Sequence, residues 1–339
     1  MELTLDTLRT RFDARLDAVI RDAAAGWTGG LPGELAARVD PLIASRGKRL
    51  RPALVLGSHL AHGGDGEAAL PLAATVELIH QASLIHDDIE DLDEFRRDAP
   101  SAWRLLGVRQ ALNLGDLLLP AAVHLFLRSA ASPALRLRVL ERLTRELLRM
   151  VEGQMTEIAA LHLDPGSPDD YERVCAGKTG ALFRVCLAGG AELAGLDDPA
   201  ALARLEDLGT RLGVLFQGRD DLIDITGRKE GRRALGDLLE GKPSLLTVLA
   251  ARHLAGAARD EFFTLHRTPR PPKDEAMARR MRELLVGHGV VALAFERHGD
   301  RCAAFLGRLP DLAPPPLAGL LAELVRHLAV TPETEAPRP

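Results

Sequence analysis

Twice in this chain an apolar helical segment ends in a cluster of carboxylates, and this pattern restricts the possible folds more than any other feature. The first cluster, Asp87-Asp88-Ile89-Glu90-Asp91, follows the apolar-rich stretch Leu78–Ile85. Six of the eight residues from Asp87 to Glu94 are acidic, and Arg96 and Arg97 come directly after. At about 100° per residue, Asp87, Asp88 and Asp91 share one face of a helix, so all three can point at one place. Carboxylates crowded at the mouth of an apolar helix repel one another unless a cation joins them. Oxygen-only ligands with room for water suit Mg²⁺, which usually bridges one or two carboxylates to a substrate phosphate. A single cluster of this kind is also what a solvated acidic helix face looks like. The second copy, Asp220-Asp221-Leu222-Ile223-Asp224, repeats the spacing after the apolar run Leu212–Phe216. Two such clusters facing each other across a cavity would hold several Mg²⁺ ions and a highly charged diphosphate.

The remaining chain reads as helix nearly throughout. Leucine, alanine and arginine dominate, β-branched runs are scarce, and only 4% of residues are aromatic, which favours helix over strand. Helices are expected over 2–25, 34–45, 67–94, 108–131, 134–162 and 199–227, and again from Ser244. A further helix opens after a turn at 164–168 and is interrupted at Gly177-Lys178-Thr179-Gly180. Pro-rich breaks fall at 268–272 and 310–316. No strand pattern and no domain linker is visible. The expectation is one all-α domain over residues 1–330 and a disordered tail over 331–339, which holds three prolines.

Composition removes several classes of function. A net charge of −5 argues against a general nucleic-acid binder. Cys175, Cys186 and Cys302 have neither disulfide nor metal-type spacing and read as small buried residues in a reducing cytosol. The N-terminal stretch, with Glu2 and Asp6 and no apolar core, does not read as a signal peptide. The apolar run Leu117–Leu127 contains Pro120 and His124 and is too short to cross a bilayer. A cytoplasmic protein with no transmembrane segment is expected.

Basic residues are interleaved with the acidic clusters. Gly47-Lys48-Arg49-Leu50-Arg51-Pro52 places cations at a helix start, where free N–H groups and a partial positive charge favour anions. Lys48, Arg51, Arg96, Arg97, Lys178, Arg232 and Lys242 all lie in expected loops or helix ends. With six carboxylates they suggest two anionic head groups, one bridged by metal and one held by lysine and arginine alone. His80 lies on nearly the same face as Asp87, placed to donate to a phosphate. Phe216 and Gln217 put a ring and an amide one turn before Asp220, and a ring face there would stabilise a carbocation through its quadrupole.

The ordered set GKRLRP, LIHQASLIHDDIED followed by two arginines, GQMTE, GKTGALF, FQGRDDLID and a late GK resembles the trans-isoprenyl (polyprenyl) diphosphate synthases. The resemblance implies an orthogonal helical bundle around a central cavity, and a homodimer. It implies that Asp87, Asp88, Asp91, Asp220, Asp221 and Asp224 bind Mg²⁺ on an allylic diphosphate. Lys48, Arg51, His80 and Arg97 would bind isopentenyl diphosphate; Arg96, Lys178, Thr179, Gln217 and Lys242 would surround the allylic diphosphate, with Arg232 in the loop beyond. Three departures from the family pattern stand out: Asp98 replaces a usual Gly, Arg232 a usual Lys, and Glu157 a usual Asp. None removes a metal ligand. A class I terpene cyclase would share the metal chemistry but would not need the Lys48/Arg51 pocket, and a non-catalytic partner subunit would be expected to have lost carboxylates.

Product length is expected to depend on the face of the first-cluster helix. In the family, bulky aromatics four or five positions before the first Asp close the pocket at farnesyl length. Those positions here are Ser83 and Ala82, and the next larger side chains are Ile79 and Val76, one to two turns deeper. One turn is about 5.4 Å, roughly one extended isoprene unit. A product of geranylgeranyl length or longer is therefore expected.

Overall fold

The structure, a computed structural model, describes residues 3–43, 47–96, 99–161, 163, 166–226, 235–269 and 273–330. In chain order the elements are α1 (Leu5–Thr28), α2 (Gly33–Ile43), α3 (Leu50–Ala61), a 3₁₀ turn (Glu67–Ala69) and α4 (Leu70–Glu90). Then come β1 (Phe95–Arg96), β2 (Ala99–Pro100), α5 (Ala102–Leu106), α6 (Val108–Leu127), α7 (Pro133–Ala159), α8 (Pro168–Lys178) and α9 (Gly180–Arg184). A π-helical turn (Val185–Gly189) leads to α10 (Gly190–Leu193), α11 (Pro199–Thr226), α12 (Gly236–Glu240) and α13 (Leu245–His253). α14 (Gly256–Arg267), α15 (Glu275–Gly287), α16 (Val290–Leu312) and α17 (Pro315–Leu328) complete the order. The fold is all-α, as expected. The expected tail, 331–339, lies outside the described residues.

Three local differences from the sequence reading have physical causes. The residues after the first cluster form a two-residue antiparallel ladder, Phe95 opposite Pro100 and Arg96 opposite Ala99, too short to show a period-2 pattern. The expected break at 310–316 shrinks, because α16 continues through Pro310 to Leu312; near a helix end proline removes a single backbone bond. Pro52 lies inside α3 rather than at its start, within a first turn whose N–H groups have no intrahelical partner anyway.

The chain groups into two units. One comprises Met1–Leu147, Leu182–Gly209 and Leu309–Glu323. Its α1 buries Leu8, Phe12, Leu16 and Ile20, a strict i, i+4 stripe. Its α4 has no such stripe: Leu72, Ala73, Val76, Leu78, Ile79 and Ala82 are all fully buried. A helix apolar on every side must be enclosed, and α4 packs against α1, α3 and α6. By length and composition alone the segments Glu67–Glu90 and Val108–Leu127 are long and apolar enough to cross a membrane, a test that the buried core helix of a globular protein also passes. In the structure these two helices pack on each other.

The second unit comprises Leu148–Ala181, Thr210–Arg308 and Leu324–Pro339. Its core gathers Leu222, Phe262, Ala278, Met281, Leu285 and Ala294, all fully buried. Leu222 and Ile225 root the end of α11, and with it the second acidic cluster, in that core.

Candidate active site

The first cluster sits where α4 stops. Asp91 caps the helix and Leu92 takes a left-handed φ of 54°. The Asp93 N–H donates to the Asp88 carbonyl at 2.9 Å and the Leu92 N–H to the Ile89 carbonyl at 3.4 Å. This is the hydrogen-bond pattern that ends helices at a left-handed residue, usually glycine. The reversal feeds β1, which brings Arg96 back onto the helix end. The Arg96 Nε donates to both Asp88 oxygens, at 2.7 and 2.8 Å, and Nη2 adds a further bond to Oδ1. Asp88 is buried, whereas Asp87 and Asp91 are half-buried. Arg96, expected around a diphosphate, is thus a counter-ion to Asp88 in this structure.

The basic turn belongs to the same unit. The Lys48 side chain is exposed. Arg51 lies with Nη1 3.0 Å from His80 Nε2, and its guanidinium carbon sits 5.1 Å from the centre of the Phe183 ring, within cation–π range. Arg49, between the two expected phosphate ligands, is itself buried against Asp17 and Glu77. Nothing in the sequence separated it from its basic neighbours.

The second cluster is held differently. The Tyr171 hydroxyl and the Leu245 N–H both donate to Asp221 Oδ2 at 2.8 Å, and Gln217 Nε2 donates to Oδ1 at 3.0 Å. The Gly236 and Asp237 N–H groups each donate to Asp224 at 3.1 Å. Asp221 and Asp224 are buried and Asp220 is half-buried. Burial, and then the negative charge of Asp237, push the Asp221 carboxyl up to about 7 against the pull of its donors. The same burial and Asp221's charge raise the Tyr171 phenol well above its ordinary value. Tyr171, the chain's single tyrosine, was missed; its place seven residues before Lys178 is the only signal that could have marked it.

Close backbone approaches place the remaining residues. A Cβ on Gly213 would stand 2.4 Å from the Gly180 Cα, and one on Gly153 would stand 2.5 Å from the Lys178 N. The first contact seats Thr179 beside α11, where its hydroxyl donates to Gln217 Oε1 at 3.1 Å. The second sets Lys178 against α7, its Nζ 2.6 Å from Glu157. Lys242 Nζ lies 2.8 Å from Glu240. Phe216 is half-buried one turn before Asp220. Ile79 and Ala82 are fully buried, and the Ser83 hydroxyl donates to the His80 carbonyl at 2.9 Å. Arg97, Asp98 and Arg232 lie outside the described residues.

The donor set fits a hard divalent cation. Every candidate ligand is a carboxylate oxygen, and among the described residues no group of three or more His, Cys, Asp or Glu side chains could hold an ion by itself. An ion here would complete its shell from water and phosphate, as Mg²⁺ commonly does. Burial, and then the charge of Asp237, raises the Asp221 carboxyl, a cost that a bound cation would offset.

Comparison with known proteins identifies the family. A family model described as polyprenyl synthetase matches residues 33–285. A geranylgeranyl diphosphate synthase of Mycobacterium tuberculosis is 36% identical over 284 residues, 83% of this chain and 80% of that protein. A (2E,6E)-farnesyl diphosphate synthase of Mycobacterium bovis is 37% identical over 265 residues, 76% of this chain and 70% of that one. The crystal structure of a polyprenyl synthase from Caulobacter crescentus, complexed with calcium and isoprenyl diphosphate, superposes with a TM-score of 0.83 at 29% identity, covering 97% of this chain and 98% of the other. The chain belongs to the polyprenyl synthetase family and is a trans-prenyltransferase.

Proposed function

We propose that the enzyme condenses isopentenyl diphosphate head to tail with an allylic diphosphate, using Mg²⁺, and that its product is geranylgeranyl diphosphate or longer. The observation that carries the reading is Arg51 beside His80, 3.0 Å apart, in the unit that holds the first acidic cluster. A basic pair at this place serves a second diphosphate, which a terpene cyclase acting on one substrate does not need. The six carboxylates are all present, which speaks against a non-catalytic subunit.

Lys48, Arg51, His80 and Arg97 bind the isopentenyl diphosphate; Lys178, Thr179, Gln217, Arg232 and Lys242 orient the allylic one. Asp87, Asp88, Asp91, Asp220, Asp221 and Asp224 would hold the Mg²⁺ ions, the half-buried Asp87, Asp91 and Asp220 being the more accessible of the six. When bound, Mg²⁺ neutralises the leaving diphosphate as Lewis acid and template. The allylic C–O bond breaks and a C–C bond forms to isopentenyl diphosphate, held alongside so that the step is effectively unimolecular. The Phe216 ring face stabilises the transient allylic cation, and the departing diphosphate takes the proton lost on bond formation. Ala82, Ser83 and Ile79 leave the floor of the chain pocket one to two turns below farnesyl depth.

The enzyme acts in the cytoplasm, consistent with three buried free thiols, and as a homodimer with no nucleic-acid partner. Two exposed apolar stripes support the dimer: Val108, Leu112 and Leu127 on α6, and Leu148, Val151, Met155 and Ile158 on α7. Purified enzyme given Mg²⁺, isopentenyl diphosphate and dimethylallyl, geranyl or farnesyl diphosphate in turn should yield a twenty-carbon or longer product. Products that stop at fifteen carbons would refute the length assignment.

A further inference from the structure

Arg49 stands between the two expected phosphate ligands of the basic turn, yet it faces away from solvent. Its Nη2 lies 3.1 Å from Asp17 Oδ1 and its Nη1 2.9 Å from Glu77 Oε1. All three side chains are 7% exposed or less. Asp17 comes from α1 and Glu77 from α4, one turn before His80. The Arg49 backbone is left-handed, with φ 50° and ψ 31°, a conformation that favours glycine or asparagine over a long side chain. Its carbonyl accepts from Ala53 N at 3.1 Å and so opens α3. One residue earlier, the Lys48 carbonyl is taken by Arg9 of α1. The turn is therefore tied at successive residues to α1 and α4, and the residue after Arg49 starts the helix that carries Arg51.

We propose that Arg49 is the positioning residue of the isopentenyl diphosphate site: clamped between Asp17 and Glu77, it sets the left-handed turn that directs Lys48 outward and Arg51 toward His80, without touching substrate. An arginine is required because two carboxylates on different helices must be met at once, and the planar fork does this where a lysine ammonium presents a single point. Burial makes the network sensitive to partial loss, because removing one member takes a charged partner from a buried charge. The strained backbone is held in place by the side chain's two ion pairs, so the residue's identity follows from the pair and not from the turn.

This inference rests on the reading of Lys48, Arg51 and His80 as the isopentenyl diphosphate site, and the test separates the two. Michaelis constants for isopentenyl diphosphate and for the allylic primer, together with kcat and the melting temperature, would be measured for Arg49→Met, Arg49→Lys, Arg49→Gly, Glu77→Gln and Arg51→Ala. Arg49→Met should raise KM for isopentenyl diphosphate by about tenfold or more, since a small misplacement of binding groups can cost up to about a hundredfold. KM for the primer should stay within about twofold, because the residues assigned to the primer, Lys178, Thr179, Gln217 and Lys242, lie on other elements. Arg49→Gly accepts the left-handed backbone but lacks the clamp, so it should resemble Arg49→Met; Arg49→Lys should recover only part of the loss. If Arg49→Met fails to fold, Glu77→Gln, a milder cut in the same network, carries the test with the same selective rise. Folded Arg49→Met and Glu77→Gln enzymes with unchanged KM for isopentenyl diphosphate, or with equal rises for both substrates, would overturn the proposal while Arg51→Ala still shows its selective defect. If Arg51→Ala has no selective defect either, the site reading fails and this inference fails with it.

Discussion

At the end of α4, Asp88 is held by a guanidinium that returns on a two-residue strand; at the end of α11, Asp221 and Asp224 are held by a phenol, an amide and three backbone N–H groups. The two motifs have the same spacing, and in each the first Asp is half-buried and the second buried. The anchors differ in charge. Arg96 brings a positive charge to Asp88, whereas the donors to Asp221 are neutral. Burial and then the charge of Asp237 drive Asp221 up to about 7. At Asp221 protons should therefore compete with a metal ion near neutral pH.

The half-buried aspartates should give the largest effects. Asp87→Ala and Asp220→Ala should each lower turnover by about a hundredfold or more, since Lewis-acid stabilisation of a leaving group is worth several kcal/mol. Far-ultraviolet circular dichroism should show the helices intact. Near-normal turnover in either variant would remove that residue from the metal site.

The buried positions should separate the two anchoring modes. Arg96→Ala removes a charged partner from the buried Asp88 and should destabilise the fold by about 3 kcal/mol in urea unfolding. Tyr171→Phe removes one of three donors to Asp221 and should cost roughly 1–2 kcal/mol. Equal losses would mean that the charge on Arg96 contributes nothing beyond its hydrogen bonds.

The pH response sharpens the same contrast. Asp221 binds its proton more tightly folded than unfolded, with a value raised from 3.8 to about 7. The associated stability is present below the unfolded value and is lost as pH rises through about 7. Metal-free protein should therefore lose stability across that window, and Mg²⁺ should restore it. Conversely, the Mg²⁺ concentration needed for half-maximal activity should climb as pH falls below about 7. Asp237→Asn removes the like charge and should shift that climb to lower pH. An unmoved profile would show that Asp237 does not govern Asp221.

Much of this site was legible in the sequence, because helix periodicity and clustered charge act locally. The α4 and α11 cores follow from their apolar runs, and the paired acidic spacing survives any error of a few residues in helix ends. What the sequence could not show was which charges meet. Arg96 falls on Asp88 through a turn whose left-handed residue is Leu92, with no glycine to announce it. Arg49 looks like Lys48 and Arg51 until α1 and α4 supply Asp17 and Glu77 from distant positions. Tyr171 reaches Asp221 across 50 residues of chain. Long-range pairing of this kind depends on tertiary packing, and local patterning carries no trace of it.

The smallest effect concerns product length. Ala82 is fully buried on α4, so Ala82→Phe should shorten the product by about one isoprene unit, because overpacked space resists a deeper chain. An unchanged product profile would place the pocket floor on another helix.

Incorporation of labelled isopentenyl diphosphate into an allylic primer, followed in Mg²⁺ and in excess chelator, tests the assignment most directly. One labelled unit should join per elongation step, giving a labelled product at least twenty carbons long, with no incorporation once the metal is chelated. Primer consumed to a hydrocarbon without uptake of label, or incorporation that persists in chelator, would contradict it.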